Sequence, residues 1–379
     1  MHKSALNGML ALACTLAPIA NAMAEGDIVK IGFAGPLTGP QAQYGKDIQN
    51  GVQLAIDEIN VTKPVLDGRQ VQFVLDSADD QADPRTGTTV AQRLVDDGVK
   101  GVIGHFNSGT SIPASAIYAR ANIPQITTAS NPVFTRQGFA TTFRSMTADD
   151  QQGAAMGTYI VKGLHAKTVA IIDDRTAYGQ GLADQITKAV TASGGKVIDH
   201  EFTNDKAVDF RAALTKIKSM QPDVLFFAGA DAQSAPLVKQ MRSLGMKTTY
   251  TSGDMSKSTT FLSVAGDSAN GTYASLAGLP TERMPGGAKY ISAYQKKFNM
   301  EPGTYSPYFY DAALVMMQAM IKAGSSDPVK YLPVLKATNE QTVTTKDFTY
   351  DQKGDLKHPV VTIYKVEGGK WVTKDVEEN

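Results

Sequence analysis

Four short polar segments carry the residue types with which this chain could hold a charged small molecule. The first, F-N-S-G-T-S at 106–111, offers Asn107, Ser108 and neighbouring hydroxyls ahead of a helical pattern with Pro113 in its first turn. Free amides and hydroxyls at a helix start suit a carboxylate or a phosphate. The second, T-T-A-S-N-P at 127–132, offers Thr128, the Ala129 backbone and Ser130. The third, D-D-R-T-A-Y-G at 173–179, places Tyr178 where its ring could cover a ligand. The fourth, S-G-D-M at 252–255, supplies Asp254, an acid able to pair with a cation. Each has a plainer alternative that stays open: an N-cap, a polar turn, a half-buried loop tyrosine, an exposed turn aspartate. Together they put anion-favouring groups in one half of the chain and an acid in the other. A zwitterion held between two lobes would use both.

Other chemistries lack their signatures. Gly32-Phe-Ala-Gly35 is not G-x-G-x-x-G, and no phosphate-loop motif occurs. His2, His105, His165, His200 and His358 are scattered without H-E-x-x-H spacing, so no zinc site is expected. The acidic run D-S-A-D-D-Q-A-D at 76–83 lacks the glycine and terminal glutamate of a calcium loop. Ser108 does not sit in G-x-S-x-G, and a hydrolase built on it would need a positioned base that the sequence does not supply. The expectation is a binding protein, not an enzyme, with no cofactor and no metal.

The elements that must position these segments alternate between β-branched runs and amphipathic patterns. Strands are predicted at 28–34, 71–75, 100–104 and 124–127, with helices at 45–60, from Asp83-Pro84 onward, and at 111–121. The pattern restarts after Phe143-Arg144-Ser145. Strands are then predicted at 167–172, 196–200, 223–227 and 248–251, the last closing that half, with helices at 179–192, 210–220 and 232–244. Helices follow at 288–298, 308–323 and 328–336, and a strand-like tail at 348–372 turns at Lys353-Gly354 and Gly368-Gly369. Such repetition predicts an α/β fold of two parallel-sheet units with helices on both faces. The four polar segments then fall at the C-terminal ends of strands, where open α/β sheets bind ligands.

Length and charge agree with this division. A chain of 379 residues is long for one core and suggests two domains. It balances 37 Lys+Arg against 37 Asp+Glu, which gives no global attraction to nucleic acid or an anionic membrane. Residues 1–24 read as a secretory signal peptide: Lys3, an apolar stretch, and A-M-A at 22–24 before a polar start. Lipidation at Cys14, the one cysteine, is the alternative; its upstream residues fit less well than the A-x-A site does. Cleavage after Ala24 leaves a product without cysteine, which packing alone must stabilise.

Over essentially the whole mature chain the sequence resembles the periplasmic branched-chain amino-acid-binding proteins of ABC transporters, the leucine/isoleucine/valine type. The stretches that carry the likeness are G-P-Q-A-Q-Y-G at 39–45, D-G-V-K-G-V-I-G-H at 97–105, P-A-S-A-I-Y at 113–118, Y-G-Q-G-L at 178–182 and Y-D-Q-K-G-D-L at 350–356. The resemblance implies a type I periplasmic binding protein fold: two doubly wound parallel-sheet lobes joined by a multi-strand hinge. Lobe 1 would comprise 25–148 and 279–355, lobe 2 149–278 and 356–379. It implies a periplasmic monomer that closes on an α-amino acid and docks on an inner-membrane permease. Ser108 matches the serine that binds the α-carboxylate, and Thr128-Ala129-Ser130 the adjoining turn, with Ser130 where threonine is usual. Tyr178 matches a ligand-contacting tyrosine; Tyr44 and Tyr305 match aromatics flanking the side-chain pocket. Two departures stand out. Asp254 replaces a glutamate that meets the α-ammonium and is one methylene shorter, so the ligand must sit closer or water must bridge. A second-lobe aromatic falls on Ala230 or Asp231, which enlarges the pocket or makes it more polar. A sensor for amides or urea-like solutes on the same scaffold stays open as the alternative.

Overall fold

In the computed structural model, which describes residues 27–378, the chain begins with β1 (Asp27–Gly35), whose Val29, Ile31 and Phe33 point into the core. There follow α1 (Ala42–Val61), β2 (Val65–Leu66), β3 (Arg69–Asp79), α2 (Pro84–Asp96), β4 (Val102–Gly104), α3 (Ser108–Arg120), β5 (Gln125–Thr127), α4 (Val133–Arg136) and β6 (Thr142–Arg144). These strands form a six-stranded sheet in the order β2-β3-β1-β4-β5-β6, parallel except for β2. The strand order reverses at β1, so a crevice opens beyond its C-terminal end. The predicted Asp83 cap holds: its carboxylate accepts from the Thr86 amide at 2.8 Å, with Pro84 in the first turn. The predicted signal segment, Cys14 included, lies outside the described residues.

The second unit repeats the design. It runs through α5 (Asp149–Thr158), β7 (Thr168–Asp173), α6 (Ala177–Ala192), β8 (Lys196–Phe202), α7 (Arg211–Met220), β9 (Val224–Ala228), α8 (Asp231–Ser243), β10 (Thr249–Ser252), α9 (Thr259–Ala265) and β11 (Tyr273–Leu276). The chain then returns to the first unit with α10 (Gly287–Phe298), α11 (Ser306–Ala323) and α12 (Pro328–Lys336), α11 packing along α1. A small ladder of β12 (Asn339–Glu340) and β13 (Phe348–Thr349) leads back to β14 (Val360–Glu367) and β15 (Lys370–Glu378). The second sheet has seven strands in the order β15-β14-β11-β10-β9-β7-β8. The antiparallel β14-β15 hairpin turns at Gly368-Gly369, both at positive φ.

One expectation needs correction, and one helix had no counterpart in the sequence pattern. The strand at 248–251 does not close its half: β11, β14 and β15 lie beyond β10 in the sheet. The 149–158 segment is a helix that periodicity did not reveal. The chain crosses between the sheets at 145–148, 277–286 and 350–359, which makes the hinge three-stranded. Among the described residues no helix is long and apolar enough to cross a membrane.

Candidate functional site

Four turns, each leaving the C-terminal end of a parallel strand, meet in the cleft between the sheets. After β4, the chain turns through Phe106 and Asn107 into α3. The expected helix start at Ser111 lies one turn earlier, and Ser108 is its first residue. Its hydroxyl accepts from the Asn131 amide at 3.3 Å; the Thr110 and Ser111 amides already donate to the Asn107 carbonyl, which leaves those of Ser108 and Gly109 at the open start of α3. The supporting turn is locked from behind. His105 is fully buried between Asp80 (2.7 Å) and the Tyr118 hydroxyl (3.1 Å), and its carbonyl accepts from Thr127. The Thr127 hydroxyl in turn accepts from the Ala129 amide at 3.0 Å, which shapes the Thr128-Ala129-Ser130 turn.

On the facing lobe, α6 begins at Ala177 with Thr176 as its cap, so Tyr178 is a buried helical residue and not a loop residue. Asp254 follows β10. Gly253 lets the two meet: a Cβ there would lie 2.4 Å from the Tyr178 hydroxyl oxygen. Tyr178 donates to Asp254 Oδ1 at 2.8 Å, Gln152 Nε2 donates to the same oxygen at 3.0 Å, and Tyr305 donates to Oδ2 at 2.7 Å. Three donors on one buried carboxylate suit its charged form. Burial and the Asp254 charge push the Tyr178 and Tyr305 hydroxyls well above the usual phenol range, so they stay protonated as donors.

These parts line a narrow gap of about 20 Å³. Ser108, Thr128, Ala129 and Ser130 form one wall, Tyr178 and Asp254 the other; Phe106, Asn107, Met255 and Tyr305 complete it. That is room for a water-sized molecule, so the two walls must part to admit a guest of amino-acid dimensions. The Thr128 hydroxyl and Asn107 Oδ1 are buried here without hydrogen-bond partners, so polar valence is left for a guest.

The remaining candidates sit just outside. Tyr44 stacks on Phe106 (5.5 Å between centroids) and meets Tyr305 edge-on at 5.7 Å, while its hydroxyl reaches the Met255 carbonyl at 3.2 Å. It backs the gap's aromatic wall and itself faces a larger groove of about 340 Å³ beside Lys257 and Trp371. Ala230 does not line the small gap. It borders a neighbouring hollow of about 420 Å³, which shares Asn107, Tyr178 and Met255 with it.

Gln152 escaped sequence reasoning, as did Phe106 and Met255 as wall residues. The polar string D-D-Q-Q-G at 149–153 shows no apolar period, and only helix α5 turns Gln152 toward Asp254. The Asp254 carboxylate is therefore already held from both sides of the cleft, by Tyr178 and Gln152 of its own lobe and Tyr305 of the facing one, which an isolated turn aspartate would not be.

A family model described as "Periplasmic binding protein" matches residues 28–370. The chain is 37% identical over 370 residues to the Leu/Ile/Val-binding protein homolog 1 of Brucella abortus, covering 97% of each chain. It is 32% identical over 354 residues to a leucine-, isoleucine-, valine-, threonine- and alanine-binding protein of Pseudomonas aeruginosa, covering 93% of this chain and 94% of that one. Among solved structures it is similar to the leucine binding protein LivK of Thermotoga maritima, with TM-score 0.84 and 27% identity over 92% of this chain and 98% of that one. Similar too is the branched-chain amino acid transporter substrate binding protein LivJ of Streptococcus pneumoniae in complex with isoleucine, with TM-score 0.82 and 27% identity over 93% and 100%. Two doubly wound lobes, a three-stranded hinge and a polar cleft at the facing strand ends agree with these matches, and the chain belongs to the periplasmic binding protein family.

Proposed function

We propose that this protein is the solute-binding component of an ABC importer and captures a small aliphatic α-amino acid, of the branched-chain class, between its lobes. The observation that carries the reading is the narrow gap between the lobes, with hydroxyls and helix-start amides on one wall and the Asp254 carboxylate on the other. Ser108 and the amides of α3 hold the α-carboxylate. Ser130 and Asp254 hold the α-ammonium. Phe106, Met255 and Tyr305, backed by Tyr44, shape an apolar end for the side chain, and Ala230 marks the way into the larger outer hollow. Lobe 1 comprises 25–148 and 279–355, lobe 2 149–278 and 356–379. The product is exported, loses residues 1–24, works as a periplasmic monomer and presents its closed form to an inner-membrane permease. It needs no cofactor and performs no catalysis.

Thermal shift on the mature protein tests this. Leucine, isoleucine or valine should raise the melting temperature, since ligand at one hundred times Kd adds about 2.7 kcal/mol. Leucinamide, which lacks the carboxylate, and 4-methylpentanoate, which lacks the ammonium, should not. Stabilisation by amides or urea, with none by amino acids, overturns the reading.

A further inference from the structure

Resting on the amino-acid reading above, we propose that Asp149 stores a proton in the empty closed cleft and releases it when the ligand's ammonium arrives. Asp149 opens α5 at the crossing from lobe 1 to lobe 2, and its amide donates to the Ser130 carbonyl at 2.8 Å. It is fully buried, and neither carboxylate oxygen has a hydrogen-bond partner. One turn along the same helix face, Gln152 Nε2 donates to Asp254 Oδ1 (3.0 Å) and Ser275 Oγ (2.9 Å), while its Oε1 has no partner. Orphan acceptors thus gather behind the Ser130 turn, where the Thr128 hydroxyl and Arg144 Nη1 are also buried without partners. A proton on Asp149 removes an unpaired buried negative charge from this group.

Two buried carboxylates close together cannot both ionise cheaply. Asp254 receives three well-placed donors, whereas Asp149 has no hydrogen bond of normal geometry, so the proton belongs on Asp149. Burial pushes the Asp149 carboxyl up to about 8, and the Asp254 charge pushes the same way. The Ser130 hydroxyl and the Arg144 guanidinium act against this, and Asp150 adds to it. Tyr178 faces it from α6 as a neutral phenol; Asp184 and Lys188 on that helix are exposed. On the strands packed against α5, Tyr273 of β11 and Lys365 of β14 pair with each other, Glu367 pairs with Lys365 and Lys374, and Tyr364 lies under Lys257. Among the charged groups nearby, only Arg144 is a cation acting on Asp149, and Asp355 engages it at 2.8 Å.

An α-ammonium between Ser130 and Asp254 adds positive charge beside Asp149. The carboxyl O–H bond then breaks, its proton passes to bulk buffer, and no other bond changes. Asp149 acts through Ser130 and Gln152 as a positioning residue. Because a proton must leave, affinity rises with pH.

Calorimetry of L-leucine binding in buffers of different ionisation enthalpy reads the proton count. The expected result near pH 7 is release of roughly one proton per leucine, with affinity rising close to tenfold per pH unit between about pH 6 and 7.5. Asp149→Asn should abolish both. Infrared spectra of the ligand-free wild type should show a protonated-carboxyl band that leucine removes; this reading and the proton count need no variant to fold. Leucine binding with no proton release and flat affinity overturns the proposal while leaving the amino-acid reading intact. No amino-acid binding at any pH overturns both.

Discussion

Asp254 shows what one residue carries in this site. It is shorter than the glutamate expected by resemblance, and the structure compensates from both sides of the cleft. Tyr178, Tyr305 and Gln152 hold the carboxylate in place before any ligand arrives. That order lowers the entropy lost on binding, because the acceptor need not be immobilised by the guest. Asp254→Ala should weaken amino-acid binding by about 2–5 kcal/mol, the range for removing one partner of a desolvated charge pair. Calorimetry on a variant with wild-type circular dichroism checks this; unchanged affinity would remove Asp254 from the ammonium role. Sequence alone made Ser108, Ser130, Tyr178 and Asp254 legible because each lies a few residues after an apolar run. Gln152 and Asp149 follow no such run, and their meaning depends on a helix that composition conceals.

That helix, α5, shows why some elements were readable and others were not. The strands β1, β7 and β9 are buried on both faces and read as near-continuous apolar runs, so their positions were plain. The short α5 has two glycines and an amphipathic signal too weak to see. Its partner explains the composition. A Cβ at Gly153 would lie 2.4 Å from Gln185 Cβ on α6, and one at Gly157 would lie 2.5 Å from Ala189 Cβ. The helices touch at backbone distance, and glycine's poor helix propensity is accepted for that contact. Strand β11 hid for a related reason: its Ser275 is polar and buried, where it accepts from Gln152. Gly153→Val should force α5 off α6 and cost about 1–3 kcal/mol in urea unfolding, as overpacking does. Because α5 carries Gln152, the same variant should also lose amino-acid affinity. Wild-type stability and affinity together would show that the close approach is not needed.

At the scale of the whole molecule, the two lobes are drawn together by contacts that only a closed form can make. Asn131 Nδ2 donates to the Ala177 carbonyl at 2.6 Å, reaching over Gly181, where a Cβ would lie 2.4 Å from that nitrogen. On the other side of the cleft, Gln43 donates to Asp231 (3.3 Å) and accepts from Thr260 (2.7 Å), while Ser258 also donates to Asp231 (2.6 Å). The Ser258–Asp231 bond lies within one lobe and only orients the carboxylate; each bond between the lobes adds about 0.5–1.5 kcal/mol to closure. The division into two halves was legible from the restarted strand pattern, but these latches were not, because their partners are up to 217 positions apart in the chain. The single tryptophan makes closure measurable. Trp371 Nε1 donates to the Ser258 carbonyl at 3.1 Å, and its ring packs on Phe261 at 5.5 Å, beside the Asp231 latch. Leucine should therefore change Trp371 fluorescence and reduce the radius of gyration in solution scattering. Asn131→Ala removes one latch without touching the Trp371 environment. It should shift the ligand-free population toward the open form and weaken leucine binding about 3- to 10-fold, since apparent affinity falls with the closed fraction. The fluorescence change at saturation should stay the same, because the ligand still closes the lobes. Equal affinity in the variant and the wild type would show that the Asn131 bond forms after the ligand has already set the closing equilibrium.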